Sequence, residues 1–345
     1  MDRREFFKHL AQLTAATAAT GGLIGCSAQQ QPDETLVEEP DEEDRANNEI
    51  SQVAVVFATD RATGVHQAVE LIDHDLQNRN IFIKPNFNSA DPAPGSTHND
   101  VLEALVRHCH SQRSGAITVG DRSGMGETRE VMRQKQIFSM GNELDFETIV
   151  FDELDADDWE IFEDDSYHWQ RGFALPRPVL EADAYIQTCA LKTHRFGGHF
   201  TMALKNNVGL AARTVPDDSY NYMEELHSSD DQRIMIAELN DAIRHELIVL
   251  DGVEGFYEEG PDKGPTAEFN TIIASTDPVA IDALGVALLR RHGTTAEVEQ
   301  GPIAELEQIA RAIELGVGTA DPDRMDFVTP DDDSEALVAE LIEYL

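Results

Sequence analysis

The sequence predicts an α/β fold, a mostly parallel sheet with helices on both faces. Three observations lead there. Short apolar runs such as Val53-Ala54-Val55-Val56-Phe57 read as strands buried on both sides. Stretches of helical length separate these runs, so strands and helices alternate. Polar residues stand just after the predicted strands, where an open parallel sheet gathers ligands at its carboxyl edge.

In chain order, the first residues lie outside that domain. Asp2-Arg3-Arg4-Glu5-Phe6-Phe7-Lys8 resembles a twin-arginine export signal. An Ala- and Thr-rich apolar run over 10–24 follows, too short and too polar for a membrane span. It ends in Leu23-Ile24-Gly25-Cys26, which is similar to a lipoprotein cleavage box. In such a box the cysteine, here Cys26, becomes the lipidated first residue. Residues 27–49 are Gln, Glu, Asp, Pro and Asn with almost nothing apolar. They cannot bury enough surface to offset ordering entropy and read as a disordered acidic tether. Residues 1–26 therefore form the signal, 27–49 the tether and 50–345 a single domain. The leader implies an exported, extracytoplasmic lipoprotein, partnered by the twin-arginine machinery and by the membrane through its lipid.

Within the domain, the strand at 53–57 is followed by a helix near 64–73. Asn80-Ile81-Phe82-Ile83 is the second strand and delivers Lys84-Pro85-Asn86. A Pro- and Gly-rich loop then reaches Thr97-His98-Asn99-Asp100, which opens a helix over 101–111. The strand at 116–119 ends at Gly120-Asp121, and a helix over 128–140 leads to a strand at 148–151. Residues 152–178 break the rhythm with both tryptophans, many acids and two prolines, and read as a β-rich insertion. The alternation resumes with a strand at 184–187, rich in β-formers, and a basic loop carrying Lys192 and His194. A short helix over 200–210 opens at Thr201, and another spans 230–244. Strands at 247–250 and 270–274 end at Asp251-Gly252 and at Ser275-Thr276-Asp277-Pro278.

Composition narrows the partners. Asp and Glu number 66 against 26 Lys and Arg, a net charge of −40. Such a field repels phosphate backbones, so no nucleic-acid partner is expected. An acidic, lysine-poor surface suits a protein folded in concentrated salt, where self-repulsion is screened. The chain has six lysines, and Lys84, Lys192 and Lys205 all fall near predicted strand ends or in the basic stretch after them. A compact ammonium with a tunable pKa is what a guanidinium cannot replace there.

Several motifs resolve into bland readings. Gly120-Asp121-Arg122-Ser123-Gly124-Met125-Gly126 is either a tight turn or an anion cradle. It lacks the third glycine of a dinucleotide fingerprint and the Gly-Lys-Ser/Thr of a Walker loop. Asp277-Pro278 reads as a helix N-cap followed by proline at the first helical position. Asp282 lies in a run apolar almost all round, so a buried carboxylate there needs a partner, expected to be a lysine or arginine of the site. In His108-Cys109-His110 the cysteine reads as a core residue flanked by surface histidines. The only cysteines are Cys26, Cys109 and Cys189, too few for an iron–sulfur cluster.

Lys192-Thr193-His194-Arg195-Phe196-Gly197-Gly198-His199-Phe200-Thr201-Met202-Ala203-Leu204-Lys205-Asn206-Asn207-Val208-Gly209-Leu210 resembles the signature of the family called domain of unknown function 362. The resemblance continues in Lys84-Pro85-Asn86-Phe87, in 120–124 and in 274–283, and so spans about 50–320. The family has no agreed activity, so the resemblance implies no reaction. Some of its members carry ferredoxin-like iron–sulfur segments, which this chain lacks.

The residues themselves lead to an expected site for a small anion, carboxylate or phosphate. Lys84, Asn86, Lys205, Asn206 and Asn207 would bind and orient it. His194 would be the general acid/base, with Lys192 beside it, and Asp121 or Asp251 would tune it. A cofactor is not specified by the sequence. A non-catalytic solute-binding lipoprotein would use the same basic pocket. A third alternative is a metal site on His98, His194 and His199, which the neighbouring Lys192, Arg195 and Lys205 would disfavour by repulsion.

Overall fold

The computed structural model describes residues 50–345 other than Gly198; the export signal, Cys26 and the tether lie outside the described residues. In chain order the main elements are β1 (Ser51–Phe57), α1 (Arg61–Glu70), β2 (Ile81–Lys84), α2 (Asn99–Ser111), β3 (Ile117–Asp121), α3 (Thr128–Gln134), α4 (Ile137–Leu144) and β4 (Glu147–Val150). Then come β5 (Trp159–Phe162), β6 (Phe173–Pro176), α5 (Arg177–Leu180), β7 (Ala184–His194), β8 (His199–Thr201) and α6 (Ala203–Asn206). The chain continues through α7 (Tyr222–Ser228), α8 (Gln232–Leu239), β9 (Leu247–Phe256), β10 (Thr266–Ser275) and α9 (Pro278–His292). It closes with α10 (Ala296–Glu299), α11 (Glu307–Glu314), β11 (Met325–Val328) and α12 (Asp332–Ile342).

The main sheet runs β11-β1-β10-β9-β7-β2-β3-β4, with β8 added to the far end of β7. All neighbouring pairs from β9 through β7, β2 and β3 to β4 are parallel, as is β1 with β11. Alternate residues face opposite cores, as a pleated strand requires. Val53 and Val55 of β1 pack on one side with α9, α11 and α12, while Ala54 and Val56 pack on the other with α1 and α2. A third cluster covers the β2 and β3 end of the first side with Trp159, Trp169, Phe173 and residues of α8. Helices therefore cover both faces. The 152–178 segment is a small antiparallel sheet of β5 and β6.

Two departures from the sequence reading set the shape of the site. β10 runs antiparallel to β9, so Asp277 emerges at the edge opposite to Lys84 and Asp121. Residues 257–265 join β9 to β10, fewer than the dozen or more that a parallel crossover needs, and they are Gly- and Pro-rich. A hairpin is the connection such a segment can make.

β7 and β9 are also longer than the sequence pattern predicts. Lys192 and His194 lie inside β7, in the part that pairs with β8, rather than in a loop beyond it. Asp251 lies within β9, opposite Ile272, rather than at a strand end. The helix predicted over 200–210 begins as β8, because Phe200 and Thr201 complete the ladder with Thr193 and Lys192. Only Ala203–Asn206 is α-helical, followed by a 3-10 turn over Asn207–Gly209. The helix predicted over 128–140 is two helices, split at Gln136, whose φ of 62° no α-helix tolerates.

Candidate functional site

The carboxyl ends of β2 and β3 bring Lys84 and Asp121 together. The Lys84 ammonium lies 2.8 Å from Asp121 Oδ1, with both side chains almost wholly buried. It also donates to the Pro85 carbonyl at 2.9 Å and to Asn206 Oδ1 at 3.1 Å. Asp121 in turn accepts from the backbone N–H groups of Phe87 and Arg122 at 2.7 and 2.8 Å. Burial pushes the Lys84 ammonium down and the Asp121 carboxylate opposes it. Gly209 lies directly over the pair: a Cβ there would stand 2.5 Å from Asp121 Oδ1 and 2.8 Å from Lys84 Nζ. Such a closed unit, with each charge matched and hydrogen-bonded, is a scaffold.

Lys192 is fully buried but has no carboxylate partner. Its ammonium donates to Asn86 Oδ1 at 2.6 Å and to the Gly95 carbonyl at 2.7 Å. Burial, with Lys205 and Lys135 adding like charge, brings it down to about 7. Lys205 is 7% exposed, and among the described residues no acceptor or carboxylate pairs with its ammonium. Burial brings it down to about 8.

The β7–β8 hairpin adds the remaining groups. Lys192 is opposite Thr201 and His194 is opposite His199 in the antiparallel register, so these four share one face. His194 Nδ1 and Thr201 Oγ1 are both shut off from solvent with no hydrogen-bond partner. Burial pushes the His194 imidazolium well down, and Lys205, Lys192, His227 and Arg195 push it further. Cations rather than carboxylates surround this ring. The expected tuning of His194 by Asp121 or Asp251 is therefore corrected: Asp121 holds Lys84, and Asp251 is paired with Arg61 at 2.7 Å.

The other predicted residues serve the frame. Asn206 donates to Gln187 Oε1 and the Thr188 carbonyl while accepting from Lys84, so it fixes α6 against β7. Asn207 accepts from the Tyr185 hydroxyl and donates to Asn240 Oδ1. Asn86 holds Lys192 and ties its own backbone to Thr97. Asp277 caps α9 through the N–H groups of Val279 and Ala280, as its sequence context predicts. Asp282 does not meet a lysine or arginine. It accepts from the Leu204 N–H and the Gln308 amide, and burial raises it to about 7. The orphan N–H groups at the start of α6 serve where a cation was expected. Cys109 is a core residue, but His108 is buried too, its Nε2 2.7 Å from that of His74, because α2 packs its flank against the 71–76 turn. His98 caps α2 through Asp100 N–H, and the described residues contain no group of three His, Cys, Asp or Glu placed to hold a metal ion.

Two residues of the cluster escaped the sequence reading. Lys135, just after α3, lies over the Phe87 ring and is brought down to about 8 by burial. Its charge reaches Lys192. The scarcity of lysine was the available signal: four of the chain's six lysines, 84, 135, 192 and 205, belong to this neighbourhood. His227 of α7 faces Lys205 and Arg122, and no pattern in the sequence marks it.

The fold and site define an α/β protein with a buried, carboxylate-poor lysine cluster at the carboxyl edge of its sheet. The chain belongs to the family described as domain of unknown function (DUF362), whose profile matches residues 81–287. It is similar to the thylakoid-associated protein sll1697 of Synechocystis, with 25% identity over 218 residues, 62% of this chain and 64% of that protein. The chain thus spans under two thirds of that relative's length. Among solved structures it is similar to the lactate racemase apoprotein of Thermoanaerobacterium thermosaccharolyticum, at 14% identity and a TM-score of 0.40, over 61% of this chain and 51% of that one. A likeness at that level carries no inference about chemistry.

Proposed function

We propose that the domain is an enzyme acting on a small anionic molecule, a carboxylate or a phosphate, at the Lys192–Lys205–His194 site. One observation carries this reading: a largely buried Lys205 whose ammonium has no counter-charge among the described residues, beside the unpartnered His194 Nδ1 and Thr201 hydroxyl. Buried polar groups are ordinarily satisfied, and buried charges are ordinarily paired. An anion supplies both needs through charge-assisted hydrogen bonds. The enclosure limits it to a small head group, since Lys192 is wholly inaccessible and only Lys205 and the half-buried His194 reach outward.

Lys192, brought down to about 7, would be matched to proton transfer near neutral pH once a bound ligand displaces its hydrogen bonds to Asn86 or Gly95. His194, pushed well down, acts as a neutral hydrogen-bonding imidazole that orients the ligand. Lys205 supplies the fixed positive charge. Lys84 and Asp121 hold the site's floor without touching the ligand.

A screen of small carboxylates and phosphates at constant high salt tests this. At least one should raise the melting temperature, and product analysis on that compound then separates turnover from mere capture. A ligand that stabilises and is never converted would favour the solute-binding reading. No stabilising anion, or one whose effect survives Lys205→Met, would defeat both.

The leader sequence supports a second part of the proposal, that the mature domain is exported and tethered by lipid on Cys26. Among the described residues no helix is long and apolar enough to cross a membrane. Cys26→Ser should release the mature domain from membranes or leave an uncleaved precursor. Membrane fractionation of the mutant as mature protein would contradict it.

A further inference from the structure

Beyond the lysine cluster, on the other side of Asp121 in the chain, Arg122 and Arg213 line an open groove of about 730 Å³. This volume is in the range that drug-sized ligands occupy. Gly124 and Gly126 form part of its wall, with Phe151, Leu154 and Trp159 as apolar lining.

The lining sets two guanidiniums and an indole N–H beside two carboxylates, Glu127 and Asp152. Arg122 is buried, yet among the described residues it forms no ion pair. Its guanidinium donates to the carbonyls of Ala211 at 2.9 Å and Val208 at 2.8 Å, and to Met223 Sδ at 3.0 Å. Its Nη1 has only a long contact of 3.4 Å with the Ser123 carbonyl. Arg213 reaches the same carbonyl, also at 3.4 Å, and likewise forms no ion pair among the described residues. Burial brings Arg122 down to about 10; the Asp152 and Asp121 carboxylates oppose this, and the nearby Arg213 guanidinium adds to it. Trp159 is 7% exposed, and its indole N–H has no acceptor. Two carboxylates share the groove, but both are engaged. Asp152 accepts from the Thr128 hydroxyl, and Glu127 accepts from the Arg129 and Glu130 N–H groups.

In a chain of net charge −40, two adjacent guanidiniums with no direct ion pair among the described residues stand out, even with Asp152 and Asp121 nearby. A guanidinium fork matches the geometry of carboxylate and phosphate oxygens. We propose that this groove is a second anion site, distinct from the lysine cluster, for an organic acid with an apolar body. The acid head lies between Arg122 and Arg213, and the body lies against Phe151, Leu154 and Trp159.

Calorimetric titration of the folded domain with phenyl phosphate, benzoate, inorganic phosphate and phenol, at one fixed potassium chloride concentration, tests the proposal. Phenyl phosphate or benzoate should bind saturably, roughly tenfold or more tighter than inorganic phosphate or phenol, because head and body each contribute. Which of the two acids binds tighter identifies the head group. Arg213→Met should weaken that binding about tenfold without lowering the melting temperature, since the side chain is at the rim. Trp159→Phe keeps the apolar wall and removes the N–H, and should also weaken it. Absence of saturable binding by either acid, or binding unchanged in Arg213→Met, overturns the proposal. Binding abolished by Lys205→Met and retained in Arg213→Met would place the acid at the lysine cluster instead and also overturn it.

Discussion

Lys84 and Lys205 lie on either side of one asparagine and have opposite surroundings. Asn206 follows Lys205 in the chain and accepts a hydrogen bond from Lys84. Both side chains are largely buried, at 1% and 7% exposure. Lys84 has a carboxylate at 2.8 Å and two further oxygens, under a glycine that seals the pair. Lys205 has none of these among the described residues. The first arrangement contributes to the folded state by itself. The second is the arrangement that the proposed anion would complete. Burial alone therefore says little about a lysine's role; the presence or absence of its counter-charge decides it.

The sharpest way to break that comparison is to remove Lys84. Lys84→Met leaves the Asp121 carboxylate buried and unpaired, and should destabilise the domain by about 3–5 kcal/mol in denaturant unfolding. The double change with Asp121→Leu should recover much of that loss. A single mutant within the error of wild type would mean the pair is not structural.

Gly209→Ala should follow in size. Its methyl group meets both charged atoms, and neither can move without losing its partner. Overpacking of this kind costs about 1–3 kcal/mol, readable as a shift in the unfolding midpoint. An unchanged midpoint would show that the cover over the pair can yield.

For Lys205→Met and Lys192→Met the expectation reverses. Without ligand Lys205→Met should be as stable as wild type or more so, because an uncompensated ammonium is removed. In Lys192→Met the relief of a buried charge is offset by the hydrogen bonds lost at Asn86 and Gly95, leaving stability little changed. Each should lose the ligand-induced rise in melting temperature, which for wild type corresponds to about 2.7 kcal/mol at a hundredfold excess over Kd. Unfolding of the ligand-free variants would make these lysines as structural as Lys84.

The effect that is smallest per measured step is in the pH dependence. Lys192 titrates near 7 in the folded protein, against 10.5 for a free side chain, so its folded pKa is depressed. Between those values the unfolded chain binds the extra proton. Stability should therefore rise with pH between about 7 and 10.5, by up to about 1.4 kcal/mol per unit for this one group, and level off below 7, where both states carry the proton. Lys205 adds the same trend from about 8. Comparing slopes for wild type and Lys192→Met isolates the contribution. Equal slopes above neutral pH would mean Lys192 keeps its proton.

Much of the architecture was legible in the chain. Continuous apolar runs at 53–57 and 81–83 could only be strands covered on both sides, and the polar residues that follow several strands marked the sheet's working edge. The scarcity of lysine, together with position after predicted strands or in the basic stretch, singled out Lys84, Lys192 and Lys205; Lys135 follows a helix, where position gives no such mark. These features are local or compositional, so the sequence determines them by itself. The direction of β10 depended on a choice between hairpin and crossover, which set Asp277 at the far edge. The extension of β7 depended on β8 folding back on it, which turned a basic loop into a strand face. The roles of the three lysines depended on which oxygens the rest of the fold brought near: Asp121 to Lys84, Asn86 and Gly95 to Lys192, and none to Lys205. A counter-charge comes from residues far away in sequence, so tertiary packing alone decided which buried charge is finished and which still lacks a partner.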